Sequence, residues 1–428
     1  MRTKFRVLAS TAIATLLIAG HASAETLEDA IAGAIATNPQ LEAQRVQSEI
    51  ARESLEQARS RGRPTVTAGA SAGYQYTDTN SPFSLSNGDS QALSAQVQAV
   101  QPIYTGGRVA AGVRQATAGI DAAEAQYDAA EQDLILQVVT GYMNVRRDRE
   151  TVSIRQNNVD VSAEQVRAAE DRFEVGVVTR TDVSLAKARY EGARASLAGA
   201  EAALETSIAN YTLLTGIVPA DLAPPPPVPM LPASLEEATQ IGLETNPDMI
   251  AARHSERAAM EAIEVARAQG RPSVNLVGTA QTQESFTSAR NVQQSSLSAV
   301  AQGSIPIMTG GLVKSQTKAA RLQRDQARRQ IDLLDRSIRA QVAAAWFGYE
   351  ATQRAIEASK RQVDAAEIAY DGAKEELAVG VRTTLDVLDQ EQQLFEARLA
   401  VVQAERDAYV AAHQLLRATG QLSAPLAQ

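Results

Sequence analysis

Along this chain the hydrophobic period alternates between helical and strand values, and the alternation runs through the same order twice. Helical sequence opens at a capping-box pattern, Thr26 to Asp29, and continues to about Ala58, where Gly62-Arg63-Pro64 stops it. The period then falls to two. Val66, Ala68, Ala70, Ala72, Tyr74 and Tyr76 share one face, with Thr65, Thr67, Ser71 and Gln75 on the other; Leu93, Ala95, Val97 and Ala99 then oppose Ser94, Gln96 and Gln98. This alternation predicts a pair of strands, each with one apolar and one polar side. A polar loop from Thr77 to Ala92 joins them, and Thr105-Gly106-Gly107 frees the backbone to turn. Helical period resumes at Arg108 and runs without proline to about Phe173, carried by residues such as Leu134, Val138, Tyr142 and Val145. After Val175-Gly176-Val177 a half-length helix is predicted from about Thr181 to Leu214.

The second pass repeats the first. Thr37-Asn38-Pro39 recurs as Thr245-Asn246-Pro247 and Gly62-Arg63-Pro64 as Gly270-Arg271-Pro272, both 208 residues on. Pro102 to Gly107 returns as Pro306 to Gly311, and Val175-Gly176-Val177 as Val379-Gly380-Val381, both 204 on. A second capping-box pattern, Ser234 to Glu237, opens helical sequence to about Ala268. Strand alternation follows through Val274, Leu276 and Ala280, then Leu297, Ala299, Ala301 and Ile305, about a loop from Glu284 to Ser295. The rods of this copy are predicted from Leu312 to Leu377 and from Leu385 to Leu416. So long a period is no solenoid unit but a duplicated half-domain.

The lengths imply a geometry. About 66 helical residues at ~1.5 Å each make a rod of ~100 Å, and strands of about eleven residues reach ~35–40 Å, enough to cross a tilted hydrocarbon layer of ~30 Å. Opening and returning helices together equal about one long rod. They therefore form a second rod if one climbs from the middle to the strands and the other from the turn to the middle. The stiff segment Ala223-Pro224-Pro225-Pro226-Pro227-Val228-Pro229 joins the copies and belongs at that midpoint.

Composition narrows the setting. Arg2, Lys4 and Arg6, an apolar stretch from Val7 to Ala19, and Ala22-Ser23-Ala24 predict a secretory leader with the mature chain starting at Glu25. The predicted division is leader 1–24, first repeat 25–222, linker 223–232, second repeat 233–420 and a tail 421–428. There is no cysteine, hence no disulfide, thiolate metal site or lipid-bearing cysteine. Without the leader's three basic residues the chain has 38 basic against 50 acidic residues, a balance that argues against nucleic acid as partner. Only 4% of residues are aromatic, which suits long, closely packed helices with small residues at their contacts. Four strands with one apolar face cannot close a barrel, and an open edge cannot sit in lipid. Several chains must contribute, and three give an even twelve.

The order helix, strand, strand, long helix, half helix, twice over and after a leader, resembles the TolC family of outer-membrane efflux and secretion ducts over essentially the whole mature chain. The most specific support is Val175 to Val183 and Val379 to Asp389, the two helix turns. The resemblance implies a mainly α protein with a membrane β-barrel: four strands per chain in a 12-stranded trimeric barrel, continuous with a long periplasmic α-helical barrel. It implies a homotrimer in the outer membrane and its lipid, with its helices in the periplasm. A periplasmic adaptor (membrane fusion) protein would couple it to an inner-membrane RND-type pump or ABC-type secretion ATPase. It also implies that Val175, Gly176, Val177, Val379, Gly380 and Val381 form adaptor-docking turns. Thr181, Asp182 and Arg382 become latch groups, and Asp386 with Asp389 rings of carboxylates at an iris-like gate. Leu377 stands where some relatives carry an aromatic latch residue.

Capping alone also accounts for Thr179 to Asp182 and Thr383 to Asp386, and Asp389 reads equally as exposed helix surface. Gly69-Ala70-Ser71-Ala72-Gly73 matches a serine-hydrolase elbow in letters, but lies inside an alternating strand. His254 and His413 have no second histidine nearby, no phosphate loop is present, and neither an enzyme nor a cofactor is expected. Tyr74, Tyr76 and Tyr104 fit an aromatic girdle or ordinary strand positions. The alternative function is a non-conducting coiled-coil spacer anchored in the outer membrane, which accounts for the rods but not for the strands.

Overall fold

The computed structural model describes residues 24–78, 88–287 and 291–423; nearly all of the expected leader, part of the first loop and most of the tail lie outside them. The first repeat contains α1 (Leu27–Thr37), α2 (Pro39–Ser60), β1 (Thr65–Thr77), β2 (Gly88–Tyr104), α3 (Arg108–Glu174) and α4 (Arg180–Thr215). The second contains α5 (Leu235–Thr245), α6 (Pro247–Ala268), β3 (Ser273–Thr287), β4 (Asn291–Ser304), α7 (Leu312–Ala378) and α8 (Thr384–Thr419). Helices α3 and α7 are 67 residues each, rods of ~100 Å. Among the described residues no helix is long and apolar enough to cross a membrane.

The opening helix is broken rather than continuous. Asn38 is extended (φ −71°, ψ 120°), as a residue before proline is biased to be. Its Oδ1 accepts from the backbone N–H groups of Gln40 and Leu41, while its Nδ2 donates to the Leu214 carbonyl at 3.1 Å. Asn246 repeats the device, donating to the Ala418 carbonyl at 3.1 Å. Each asparagine therefore starts α2 or α6 and also satisfies a carbonyl at the end of α4 or α8. The composite second rod is α4 abutting α2, with α1 turned aside onto α3. Thr26 and Asp29 form the full capping box, whereas Glu237 accepts from the Ala233 N–H instead of that of Ser234.

The strands form one antiparallel meander, β1-β2-β3-β4, and extend further into the loops than the alternation predicts. At Gly88 to Gln91, glycine and polar residues replace the apolar side; the pattern vanishes while the backbone ladder continues. Register carries the expected faces across all four strands. Val66, Ala99, Gly278 and Ala299 form one row and Ala68, Val97, Ala280 and Leu297 the next. On the opposite side, Thr67, Gln98, Thr279 and Ser298 align, followed by Gly69, Gln96, Gln281 and Ser296. Tyr74 and Tyr76 sit at the hairpin end and Tyr104 at the helix end.

The core lies at mid-height. Ile135, Val138, Val139, Tyr142 and Val145 of α3 pack against Leu27, Ile31 and Ala34 of α1, Tyr211 of α4 and Val410 and Leu416 of α8. The start of the proline-rich linker is tied here, as the length argument expects: the Ala223 carbonyl accepts from the Tyr142 hydroxyl at 2.7 Å and from Arg146 at 2.5 Å. Glu25 forms a parallel bridge with Leu222, and its carboxylate accepts from the Tyr211 hydroxyl at 2.6 Å. Burial pushes the Tyr142 hydroxyl up to about 12, so it serves as a fixed donor.

Candidate functional site

The chemistry of this chain is concentrated at two places, the far ends of the rods and the two faces of the sheet. Each long rod ends in the same way. Gly176 and Gly380 take the left-handed conformation (φ +79° and +78°), which glycine alone adopts without steric cost. The Val177 N–H donates to the Arg172 carbonyl and that of Gly176 to Phe173, a Schellman motif repeated by Val381 to Glu376 and Gly380 to Leu377. The returning helix is restarted by a full capping box: the Asp182 carboxylate accepts from the N–H and hydroxyl of Thr179, each at 2.8 Å. Asp386 does the same for Thr383, at 3.0 and 2.8 Å. The Thr179 and Thr383 hydrogen bonds hold both carboxyls below the usual range, which keeps them ionised.

The sequence-predicted residues are thus brought to the tips, though not into contact with one another. Asp182 and Asp386 serve their own caps, and Arg382 pairs with Glu376 at 2.5 Å. Thr181 is exposed. Asp389 accepts from Arg189 of α4 at 2.5 Å, an ion pair that ties the two hairpins together. Arg189 was not anticipated: its partner is 200 residues away, and the repeat places nothing equivalent opposite it. Val175, Val177, Val379 and Val381 stand 71–75% exposed, four apolar side chains at the extreme ends of the molecule.

The sheet supplies the second feature. Its polar face carries Gln96, Gln98, Gln281, Gln283 and Gln294 with serines and threonines, and no charged side chain among the described residues. The elbow-like Ser71 lies in mid-strand with its hydroxyl 2.8 Å from that of Ser94, a cross-strand contact. His413 is buried with Nδ1 on the Tyr409 carbonyl, and His254 lies 3.3 Å from Asp121. Among the described residues no group of three metal-ligating side chains gathers.

The two repeats also meet each other in an ordered way. Helix α3 packs along α6, β2 pairs with β3, and α8 leans on α3 through Arg406–Asn144 and Arg417–Asp133. Arg114 of α3 bridges Glu261 of α6 at 2.8 Å. Arg271 donates to the Gly106 carbonyl at 3.1 Å, and a Cβ on Gly106 would lie 2.7 Å from that of Arg271. Gly310, the equivalent of Gly106, has nothing within 4 Å of where its Cβ would stand.

Comparison with known proteins agrees with this architecture. Residues 30–216 and 239–421 match the family model described as outer membrane efflux protein, once per repeat. The outer membrane efflux protein BepC of Brucella suis is 30% identical over 416 residues, covering 96% of this chain and 88% of that protein. The outer membrane protein TolC of Escherichia coli is 28% identical over 422 residues, 94% of this chain and 83% of its own. Among solved structures, the open state of the MtrE outer membrane channel of Neisseria gonorrhoeae superposes with a TM-score of 0.78 at 26% identity, covering 94% and 91%.

Proposed function

The chain belongs to the outer membrane efflux protein family, and on that premise we propose how its own residues close, dock and gate the duct. The protein is a tunnel-forming channel of the outer membrane, with a helical part in the periplasm, an exit path for efflux or secretion. The family consists of transport proteins; the spacer alternative has no support.

Closure follows from the repeat. Moving each contact between repeats one repeat onward leaves α7 and β4 facing elements equivalent to α6 and β3, namely α2 and β1 of a second copy. The open space at Gly310 then receives Arg63 and Pro64 of that copy, as Gly106 receives Arg271 and Pro272. Three copies give twelve strands and six equivalent staves. In that ring the apolar rows face lipid and the glutamine-lined side faces the lumen. Repeat boundaries follow: leader 1–24, repeats 25–222 and 233–420, linker 223–232 and tail 421–428, supported by the Glu25–Leu222 bridge that closes the first repeat.

Docking is assigned to the tip turns, Val175-Gly176-Val177 and Val379-Gly380-Val381. The observation that supports it is their exposed valines on rigidly capped glycine turns, an apolar knob at each hairpin end. The occupant is a periplasmic adaptor protein, itself bound to an inner-membrane RND-type pump or ABC-type ATPase that supplies the energy. Gating is assigned to the same end. Asp386, kept ionised by its cap, and Asp389 beside it, repeated about a threefold axis, give a constriction that attracts cations. Arg189 on Asp389 clasps the two hairpins to each other, while Arg382 on Glu376 braces the second turn from within. Thr181 and Asp182 border the opening from the first hairpin.

Conductance of the purified trimer in planar bilayers tests this. Small, mostly closed, cation-selective openings are expected, larger and less selective in Asp386→Ala plus Asp389→Ala. Silence in both proteins, or a detergent-extracted chain that never runs as a heat-labile trimer, would sink the reading.

A further inference from the structure

Two residues beyond Asp389, Glu391 of α8 is only 5% exposed. Its Oε1 is inaccessible and has no hydrogen-bond partner among the described residues. Beside it lies a cavity of about 350 Å³, lined by Arg155, Asn158 and Ser162 of α3, Arg189 of α4, and Leu388 and Glu391 of α8. Tyr370 and Lys374 of α7, together with Arg189, face the carboxyl. All four helices of the two hairpins therefore converge on one acidic group. A carboxylate with an unsatisfied oxygen is strongly disfavoured in such a place, whereas a neutral carboxylic acid is tolerated.

We propose that Glu391 is a proton-binding site that positions Arg189, so that proton binding decides whether the two hairpins stay clasped. The inference rests on the tip being the gate. Protonated, Glu391 suits its buried position and leaves Arg189 to Asp389. Ionised, it puts a second carboxylate beside Arg189, competes with Asp389 and draws water into the cavity, which separates the helices.

The sign follows from burial, which pushes the Glu391 carboxyl up to about 7 from its ordinary 4.5. The clasped state thus holds the proton more tightly than an opened, hydrated one. Its added stability is complete in acid below the ordinary value and is lost as pH rises through about 7. Acid clasps the tip and alkali loosens it. The Tyr370 hydroxyl and the cations Lys374 and Arg189 favour the ionised form and hold the midpoint down.

The test is the pH profile of open probability for the full-length trimer in planar bilayers. Between about pH 5 and about pH 8.5 the native channel is expected to open roughly tenfold more often as pH rises. Glu391→Gln, which keeps the shape without the charge, is expected to stay at the acid level throughout. Tyr370→Phe removes a donor to the ionised carboxylate and is expected to move the midpoint upward; it carries the test alone if Glu391→Gln does not assemble. A native profile in either variant overturns the proposal. Asp389→Ala separates the two readings. If it raises conductance at every pH while Glu391→Gln titrates normally, the gate stands and the proton site falls. If it changes nothing at any pH, the gate reading falls first.

Discussion

Helices α3 and α7 occupy the same place in their repeats and have the same length, yet one is buried and the other is not. Helix α3 carries a buried run from Ala111 to Ala169 that includes Ile135, Val138, Tyr142 and Val145. Helix α7 buries only Ala320, Ile338, Val342 and Ala373 among the described residues. Residues 204 apart make the contrast concrete. Ala118, Ala129 and Met143 are buried, while their counterparts Leu322, Leu333 and Phe347 are 57–59% exposed. The difference is one of neighbours. Helix α3 packs on α6 and α8 of the other repeat, whereas α7 packs on α5, α6 and α8 of its own. Larger apolar side chains have been placed on the rod whose cover must come from another copy, where burial has to overcome the entropy of association.

The strongest way to break this comparison is to charge both rods at matched positions. Met143→Asp is expected to unfold the chain, since it buries an unpaired carboxylate at a cost of several kcal/mol. Phe347→Asp is expected to leave helix content intact by circular dichroism and abolish the heat-labile trimer on gels. Equal effects would erase the distinction drawn between inner and outer contacts. The glycine pair gives a smaller effect. Gly106→Ala meets Arg271 in its own chain, whereas Gly310→Ala costs about 1–2 kcal/mol of left-handed strain and acts further only on assembly. Thermal dissociation of Gly310→Ala trimers should therefore fall while each chain still folds. The smallest effect tests the repeat arithmetic. The Arg114–Glu261 bridge maps onto Lys318 and Glu53 of two different copies. Lys318→Glu should lower the dissociation temperature slightly, by about 0.5–1 kcal/mol per contact, and Glu53→Lys in the same chain should restore it. A double variant no better than the single one would contradict the mapped interface.

Much of the fold was legible because it is periodic. Three of the four rods end within a residue of where the helical pattern stops, α8 runs three residues further, and the apolar sides of β1 to β4 share one register because alternation of two survives across a ladder. The break at Asn38 was not legible. Thr37-Asn38-Pro39 was visible as a landmark, but helical period continues on both sides of it; the proline and the Asn38 cap act locally, while the partner of the Asn38 amide is a carbonyl 176 residues away. The tip divides in the same manner. Thr383 and Asp386 were readable because capping is local, with donor and acceptor three positions apart. Arg189 on Asp389 and the cavity beside Glu391 are products of packing between repeats, for which no local pattern exists.

The abutting joint at Asn38 and Asn246 has a mechanical consequence. Torque applied at the tip travels the full length of α3 and α7, which are unbroken. In the companion rods it stops at mid-height, where α4 and α8 butt against α2 and α6 through side-chain hydrogen bonds rather than continuous backbone. In every stave one rod is therefore a continuous shaft and its companion a shaft with a coupling at the waist. Each stave thus keeps one continuous path from tip to sheet, while bending of its companion rod is concentrated at the waist.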